Sequence, residues 1–196
     1  MEKSNIDEKI KLLTGNGMWH TQEVEGLPSV HLSDGPHGLR KQEEKERQNN
    51  VSLVSTCYPT ASALACSWDV TAAERLGRAV AKEAWNADVA VLLGPGINMK
   101  RSPLCGRNFE YFSEDPFLAG RLGAAYVSAA QGEDVAVSLK HFAANNQETN
   151  RQTSNSQIDE RALREIYLSA FEYVVKTARP ATIMASYNRL NGYYAC

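Results

Sequence analysis

Helical and extended patterns alternate along this chain, and that alternation limits the fold more than any other feature. Three short apolar runs, Val89–Leu93, Val135–Leu139 and Ala181–Ser186, have the length of buried strands. They begin near residues 89, 135 and 181, a steady interval with no accompanying sequence repeat, so a solenoid is not expected. Between them lie helical stripes. Leu76, Val80 and Ala84 mark one face of a helix opening near Thr71, with Glu74 three residues on. Phe117, Leu118, Leu122, Ala125 and Tyr126 mark the next. Leu163, Ile166, Tyr167, Phe171 and Val174 mark another, which Arg179-Pro180 ends. Upstream, Ile6, Ile10 and Leu13 at i, i+4, i+7 predict a helix with Asn5 and Glu8 as a capping box, stopped by Thr14-Gly15-Asn16-Gly17. A short extended piece, Val30–Leu32, then runs into the turn Ser33-Asp34-Gly35-Pro36. Strands separated by helices predict an α/β architecture with parallel strands.

Composition removes several function classes. The chain has 196 residues, of which 43% are hydrophobic and 22% charged, which suits a globular domain and excludes disordered or fibrous classes. Lys and Arg total 21 against 23 Asp and Glu, so the basic excess of a nucleic-acid binder is missing. The longest plain apolar run, Val89–Leu93, is far too short to cross a bilayer. Met1–Glu8 has no apolar signal-peptide core, which points to the cytoplasm. Cys57, Cys66, Cys105 and Cys196 show no CxxC spacing and read as free thiols in a reducing compartment, with one bridge in a secreted protein as the alternative. The mixed charge run Lys41–Arg47 reads as a solvated face, and the sequon Asn50-Val51-Ser52 carries little weight without a signal.

In parallel α/β folds function gathers at the carboxyl ends of the strands. The residues after the four extended segments are Asp34–Arg40, a loop containing Lys100-Arg101 and Gly106–Glu110, Lys140-His141 followed by Asn145–Arg151, and Tyr187–Gly192. This rim is rich in carboxylate, guanidinium, ammonium, imidazole and amide groups. Such a mixture suits a neutral polyhydroxyl ligand: carboxylates accept from hydroxyls, cations donate to them, and aromatic rings cover an apolar face. Other chemistries find no support. Gly94-Pro95-Gly96 is not a phosphate loop, His20, His31, His37 and His141 have no metal-ligand spacing, and no Gly-x-Ser-x-Gly elbow occurs, so no cofactor and no metal are expected.

Four segments, Ser33–Arg40, Gly106–Pro116, Lys140–Glu148 and Met184–Asn188, occur in an order that resembles family 3 glycoside hydrolases, in their β-glucosidase and β-xylosidase branch. The hexosaminidase branch carries a His/Asp dyad where this chain has Asn145-Asn146-Gln147-Glu148, and so fits less well. The resemblance implies that residues 1–196 form an incomplete N-terminal (β/α)8 TIM-type barrel domain, part of a retaining enzyme acting on β-linked glycosides or oligosaccharides. It implies that Asp34 holds hydroxyls of the non-reducing-end sugar, that Arg107, Lys140, His141 and Arg151 surround that sugar, and that Tyr187 sits beside the nucleophile. It also implies a cis Lys140–His141 peptide. Simpler roles stay open: Asp34 as a turn former, Arg107 paired with Glu110 or Asp115, His141 as a satisfied core residue, Arg151 as a solvated loop residue and Tyr187 as packing. Glu110, Glu114 and Glu148 read as loop braces. The nucleophilic Asp and the acid/base match nothing in this chain; the nucleophile is expected beyond Cys196 and the acid/base from a second domain, so the chain reads as cut short and inactive alone. A non-catalytic sugar-binding module is the alternative, and an unrelated α/β enzyme is a third.

Overall fold

The computed structural model describes residues 6–42 and 51–195. Asn5, most of the Lys41–Arg47 run, Asn50 and Cys196 lie outside the described residues. The chain begins with α1 (Ile6–Lys11) and a small antiparallel ribbon, β1 (Gly15–Asn16) with β2 (His20–Thr21). Next come β3 (Leu32–Asp34), α2 (Ala61–Ala65), α3 (Val70–Asn86), β4 (Val91–Leu93), α4 (Pro116–Gln131) and β5 (Ala136–Phe142). The loop after β5 contains β6 (Asn155–Ser156). A broken helix follows: α5 (Glu160–Ala162), a π turn over Leu163–Tyr167, and α6 (Ser169–Ala178). The last elements are β7 (Thr182–Ala185), β8 (Arg189–Leu190) and β9 (Tyr193–Tyr194).

Strands β3, β4, β5 and β7 form one sheet in that order, each parallel to its neighbour. With α3, α4 and α6 as the crossover helices this is a partial (β/α)8 barrel. The core lies between sheet and helices. Leu92, Val137 and Leu139 from the strands meet Val80, Ala84, Leu122, Val127, Phe171 and Val174 from the helices, all at most 2% exposed.

Small residues let the helices close on one another. A Cβ on Gly77 of α3 would sit 2.5 Å from the Tyr126 carbonyl oxygen of α4, so no larger residue fits that crossing. The N-termini are capped by side chains: Asp69 accepts from the Thr71 amide at 2.8 Å, and Asp115 accepts from the Phe117 amide at 2.8 Å with Pro116 in the first turn. Each such cap contributes about 1 kcal/mol.

The element boundaries differ from the sequence expectation for identifiable reasons. Asp88 adopts a left-handed conformation (φ 54°), and the Val89 amide donates back to the Ala84 carbonyl at 2.9 Å. Val89 therefore completes the helix cap, and the strand begins at Val91. Asp134 (φ 59°) stands in the same place before Val135, and β5 begins at Ala136. β5 extends past Leu139 to Phe142, so Lys140 and His141 belong to the strand rather than to the loop. The first extended piece lies two residues later than expected, at Leu32–Asp34, where it pairs with Val91–Leu93. The fourth helical pattern is not continuous. The Leu168 amide bonds to Leu163, five residues back, and the Ser169 hydroxyl occupies the Glu165 and Ile166 carbonyls. Ile6, Ile10 and Leu13 are exposed, and Leu13 falls outside α1, which ends at Lys11.

Candidate functional site

The expected site residues meet at the carboxyl ends of the strands in two linked clusters. The inner one starts from β3 and β5. Asp34 ends β3 and Lys140 lies in β5, so both side chains belong to the end of the sheet. Lys140 Nζ stands 3.5 Å from Asp34 Oδ1 and 3.4 Å from Glu110 Oε2, with only 3% of the lysine side chain exposed. Glu110, itself 2% exposed, also pairs with Arg107 across the short 3-10 turn Asn108–Glu110. Arg107 thus takes Glu110 of its two candidate partners, while Asp115 caps α4.

Asp34 has a second cation that sequence reasoning passed over. Arg40 Nη2 donates to Asp34 Oδ2 at 2.8 Å, and the Arg40 amide donates to the Asp34 carbonyl, so the turn after β3 closes on its own first residue. The turn-forming Gly35-Pro36 and an Arg six residues after the Asp were the available signal. Burial pushes the Asp34 carboxyl up, but Lys140 and Arg40 outweigh it and hold the group below its usual range.

His141 joins this cluster to the next. It is 4% exposed, and its pKa is pushed down to about 2, first by burial and then by the charges of Arg107, Lys140 and Arg151. The ring is therefore neutral. Its main chain is clamped by Asn98: the His141 amide donates to Asn98 Oδ1 and Asn98 Nδ2 donates to the His141 carbonyl, both at 2.8 Å. Its Nδ1 lies 3.0 Å from the Tyr111 hydroxyl. Neither Asn98 nor Tyr111 stood out in the sequence, because an amide clamp and a buried phenol leave no periodic pattern. The Lys140–His141 peptide is cis, as are Gly94–Pro95 and Phe142–Ala143.

The outer cluster lies on the loops after β5 and β7. Asn145 Nδ2 donates to the Tyr111 hydroxyl and to Glu148 Oε1, both at 3.0 Å. Glu148 Oε2 accepts from Arg151 at 3.1 Å, and the Arg151 guanidinium lies over the Tyr187 ring at 5.1 Å. Ser186 and Asn188 are buried and both donate to the Ala143 carbonyl. Tyr187 between them is 56% exposed, so two anchors present one ring to the rim. Glu114, the third glutamate read as a loop brace, is exposed.

The six residues singled out in the sequence (Asp34, Arg107, Lys140, His141, Arg151 and Tyr187) therefore fall in two contact clusters, joined where Lys140 and His141 are consecutive in β5 and where the charges of Arg107, Lys140 and Arg151 act on the His141 ring. Among the described residues no group of three or more His, Cys, Asp and Glu side chains could hold a metal ion. No helix among them is long and apolar enough to cross a membrane.

Known proteins share the sequence and the fold. The thermostable beta-glucosidase B of Acetivibrio thermocellus is 52% identical over 99% of the chain, and the exo-alpha-(1->6)-L-arabinopyranosidase of Bifidobacterium longum is 50% identical over 97%. The chain spans 26% of each of those proteins, about a quarter of their length. The crystal structure of a family 3 beta-glucosidase from Bifidobacterium adolescentis superposes with a TM-score of 0.91 at 49% identity, covering 98% of this chain and 28% of that one. Residues 36–196 match the glycosyl hydrolase family 3 N terminal domain, and the chain belongs to that family.

Proposed function

We propose that this chain supplies the sugar-binding rim of a retaining β-glycosidase of the β-glucosidase type. The observation that carries the reading is the inner cluster. Asp34, Lys140, Glu110 and Arg107 form a chain of alternating charges at the strand ends, and neutral His141 lies beside them. A sugar hydroxyl both donates and accepts, so paired anion and cation recognise it better than either alone. Tyr187 offers an exposed ring for an apolar sugar face. A beta-glucosidase and an arabinopyranosidase resemble the chain about equally, and β-glucosides are the substrate class proposed.

Retaining hydrolysis needs a nucleophilic carboxylate and an acid/base about 5 Å apart. The rim carboxylates are already engaged. Asp34 is held by Arg40 and Lys140, Glu110 by Arg107 and Lys140, and Glu148 by Arg151. A general acid must hold a proton to give away, and a neighbouring cation favours the unprotonated carboxylate. In line with the family resemblance, the catalytic pair is assigned outside residues 1–196, with the acid/base on a second domain, and residues 1–196 are assigned to an N-terminal barrel domain that they do not complete. The cytoplasm is the compartment proposed, supported by the unbridged Cys57, Cys66 and Cys105.

The test uses the natural polypeptide that carries this chain and an aryl β-glucoside. The expected result is turnover with retention of configuration, and an Asp34→Ala variant whose KM rises at least about tenfold, the loss of one charge-assisted hydrogen bond. Unaltered kinetics in that variant would remove the rim from substrate binding.

A further inference from the structure

The neutral His141 ring carries one proton, and its position decides whether the ring gives or takes a hydrogen bond at the site. The hydrogen bonds around Tyr111 determine that position. The Tyr111 ring is fully buried and seated where a Cβ on Gly96 would lie 2.8 Å from two of its carbons, so its hydroxyl oxygen has a fixed place. Two groups face that oxygen. Asn145 Nδ2, 3.0 Å away, can only donate, and its orientation is set because the same nitrogen also donates to Glu148 Oε1. His141 Nδ1, 3.0 Å away on the other side, is then the acceptor left for the phenolic proton.

The opposite arrangement fails on the same count. With the proton on Nδ1, that nitrogen donates to Asn98 Oδ1, a longer contact at 3.3 Å to an oxygen already accepting the His141 amide at 2.8 Å. The Tyr111 proton then faces two donors and has no acceptor in a buried place, which is the costlier outcome for a polar group. Burial also pushes the Tyr111 phenol up, so it keeps its proton. Among the described residues the ring's hydrogen-bond partners lie at Nδ1, which leaves Nε2 as the nitrogen for a ligand.

We propose that Tyr111 is a positioning residue: oriented by Asn145 and Glu148, it donates to His141 Nδ1 and fixes the proton on Nε2, so that His141 donates to the sugar at that atom. The consequence for sugar rests on the function proposed above; the proton's position does not. The relay also gives Asn145 and Glu148 a role in recognition without requiring them to touch the ligand.

The experiment is nitrogen-15 NMR of histidine-labelled natural polypeptide carrying this chain, with His141 assigned by its Gln variant. The expected spectrum shows a protonated Nε2 and an unprotonated, hydrogen-bond-accepting Nδ1. A protonated Nδ1 in the wild type overturns the proposal with no variant needed, so the test survives a Tyr111→Phe protein that does not fold. Where Tyr111→Phe folds, the proton is expected to move toward Nδ1 and Asn98, and KM for an aryl β-glucoside to rise roughly tenfold with kcat nearly unchanged, as for loss of uniform binding. A folded Tyr111→Phe protein with the wild-type tautomer and KM overturns it as well. Adding glucose reads the other question separately. An Nε2–H resonance that ignores saturating glucose upholds the proton assignment and sinks the sugar-binding reading.

Discussion

The rim holds two carboxylate–arginine pairs of the same sequence spacing in different surroundings. Arg107 and Glu110 are three residues apart and 21% and 2% exposed, and Glu110 also faces buried Lys140. Glu148 and Arg151 are likewise three apart but 24% and 37% exposed, on the loop after β5. Identical chemistry should therefore have very different energetic weight. Removing one member of a buried ion cluster leaves an uncompensated charge, whereas a half-exposed pair is screened by water. The inner pair is part of the fold, and the outer pair adjusts a loop.

The largest effect is expected from Glu110→Gln, which leaves Lys140 and Arg107 short of a partner. Urea unfolding should show a loss of about 3–5 kcal/mol. A loss under about 1 kcal/mol, the range of exposed pairs, would erase the distinction between the clusters. Acid should act next, through His141. Its folded pKa of about 2 lies below the unfolded value of about 6.5, so the unfolded state binds the proton first. Stability is complete above pH 6.5 and falls at about 1.4 kcal/mol per pH unit as pH drops toward 2, or about 2 kcal/mol by pH 5. Asp34, also depressed, adds its loss only below about pH 4. Replacing His141 by Gln should flatten the slope between pH 6.5 and 5; an equal slope in wild type and variant would assign it to other groups. The smallest effect belongs to Arg151→Ala, expected to cost at most about 1 kcal/mol of stability.

The two clusters were also unequally legible. The inner residues sit at strand ends, and the apolar runs that reveal β4 and β5 also point to Lys140 and His141, while the Gly35-Pro36 turn points to Asp34. Arg107 and Arg151 fell inside the rim segments read from the strand ends, but only the family resemblance singled them out, because nothing in their spacing sets them apart from surface arginines. The roles of Asn98 and Tyr111, and the bond from Asn145 to Tyr111, were unreadable, since they lie in which atoms meet across 30 or more residues of sequence. The backbone was read to within about two residues where hydrophobic period dominates, and missed where two-residue strands or a left-handed Asp decide the boundary. Asn191-Gly192, with φ values of 50° and 95°, is the one sequence mark of the β8–β9 hairpin.

That hairpin has a consequence for how recognition can change. Strand β8 pairs with β6 on one side and β9 on the other, so the loop bearing Arg151 and the segment following Tyr187 share a single three-stranded sheet. The Asn191 side chain adds two bonds to Ile158, one through its oxygen and one through its nitrogen. The two loops are thus one exchangeable cassette. Lengthening residues 145–156 alone would strain the β6–β8 pairing, and transplanting residues 187–194 alone would replace the Asn191 side chain that holds Ile158. A swap of sugar preference between relatives should succeed when both pieces travel together and fail when either travels alone.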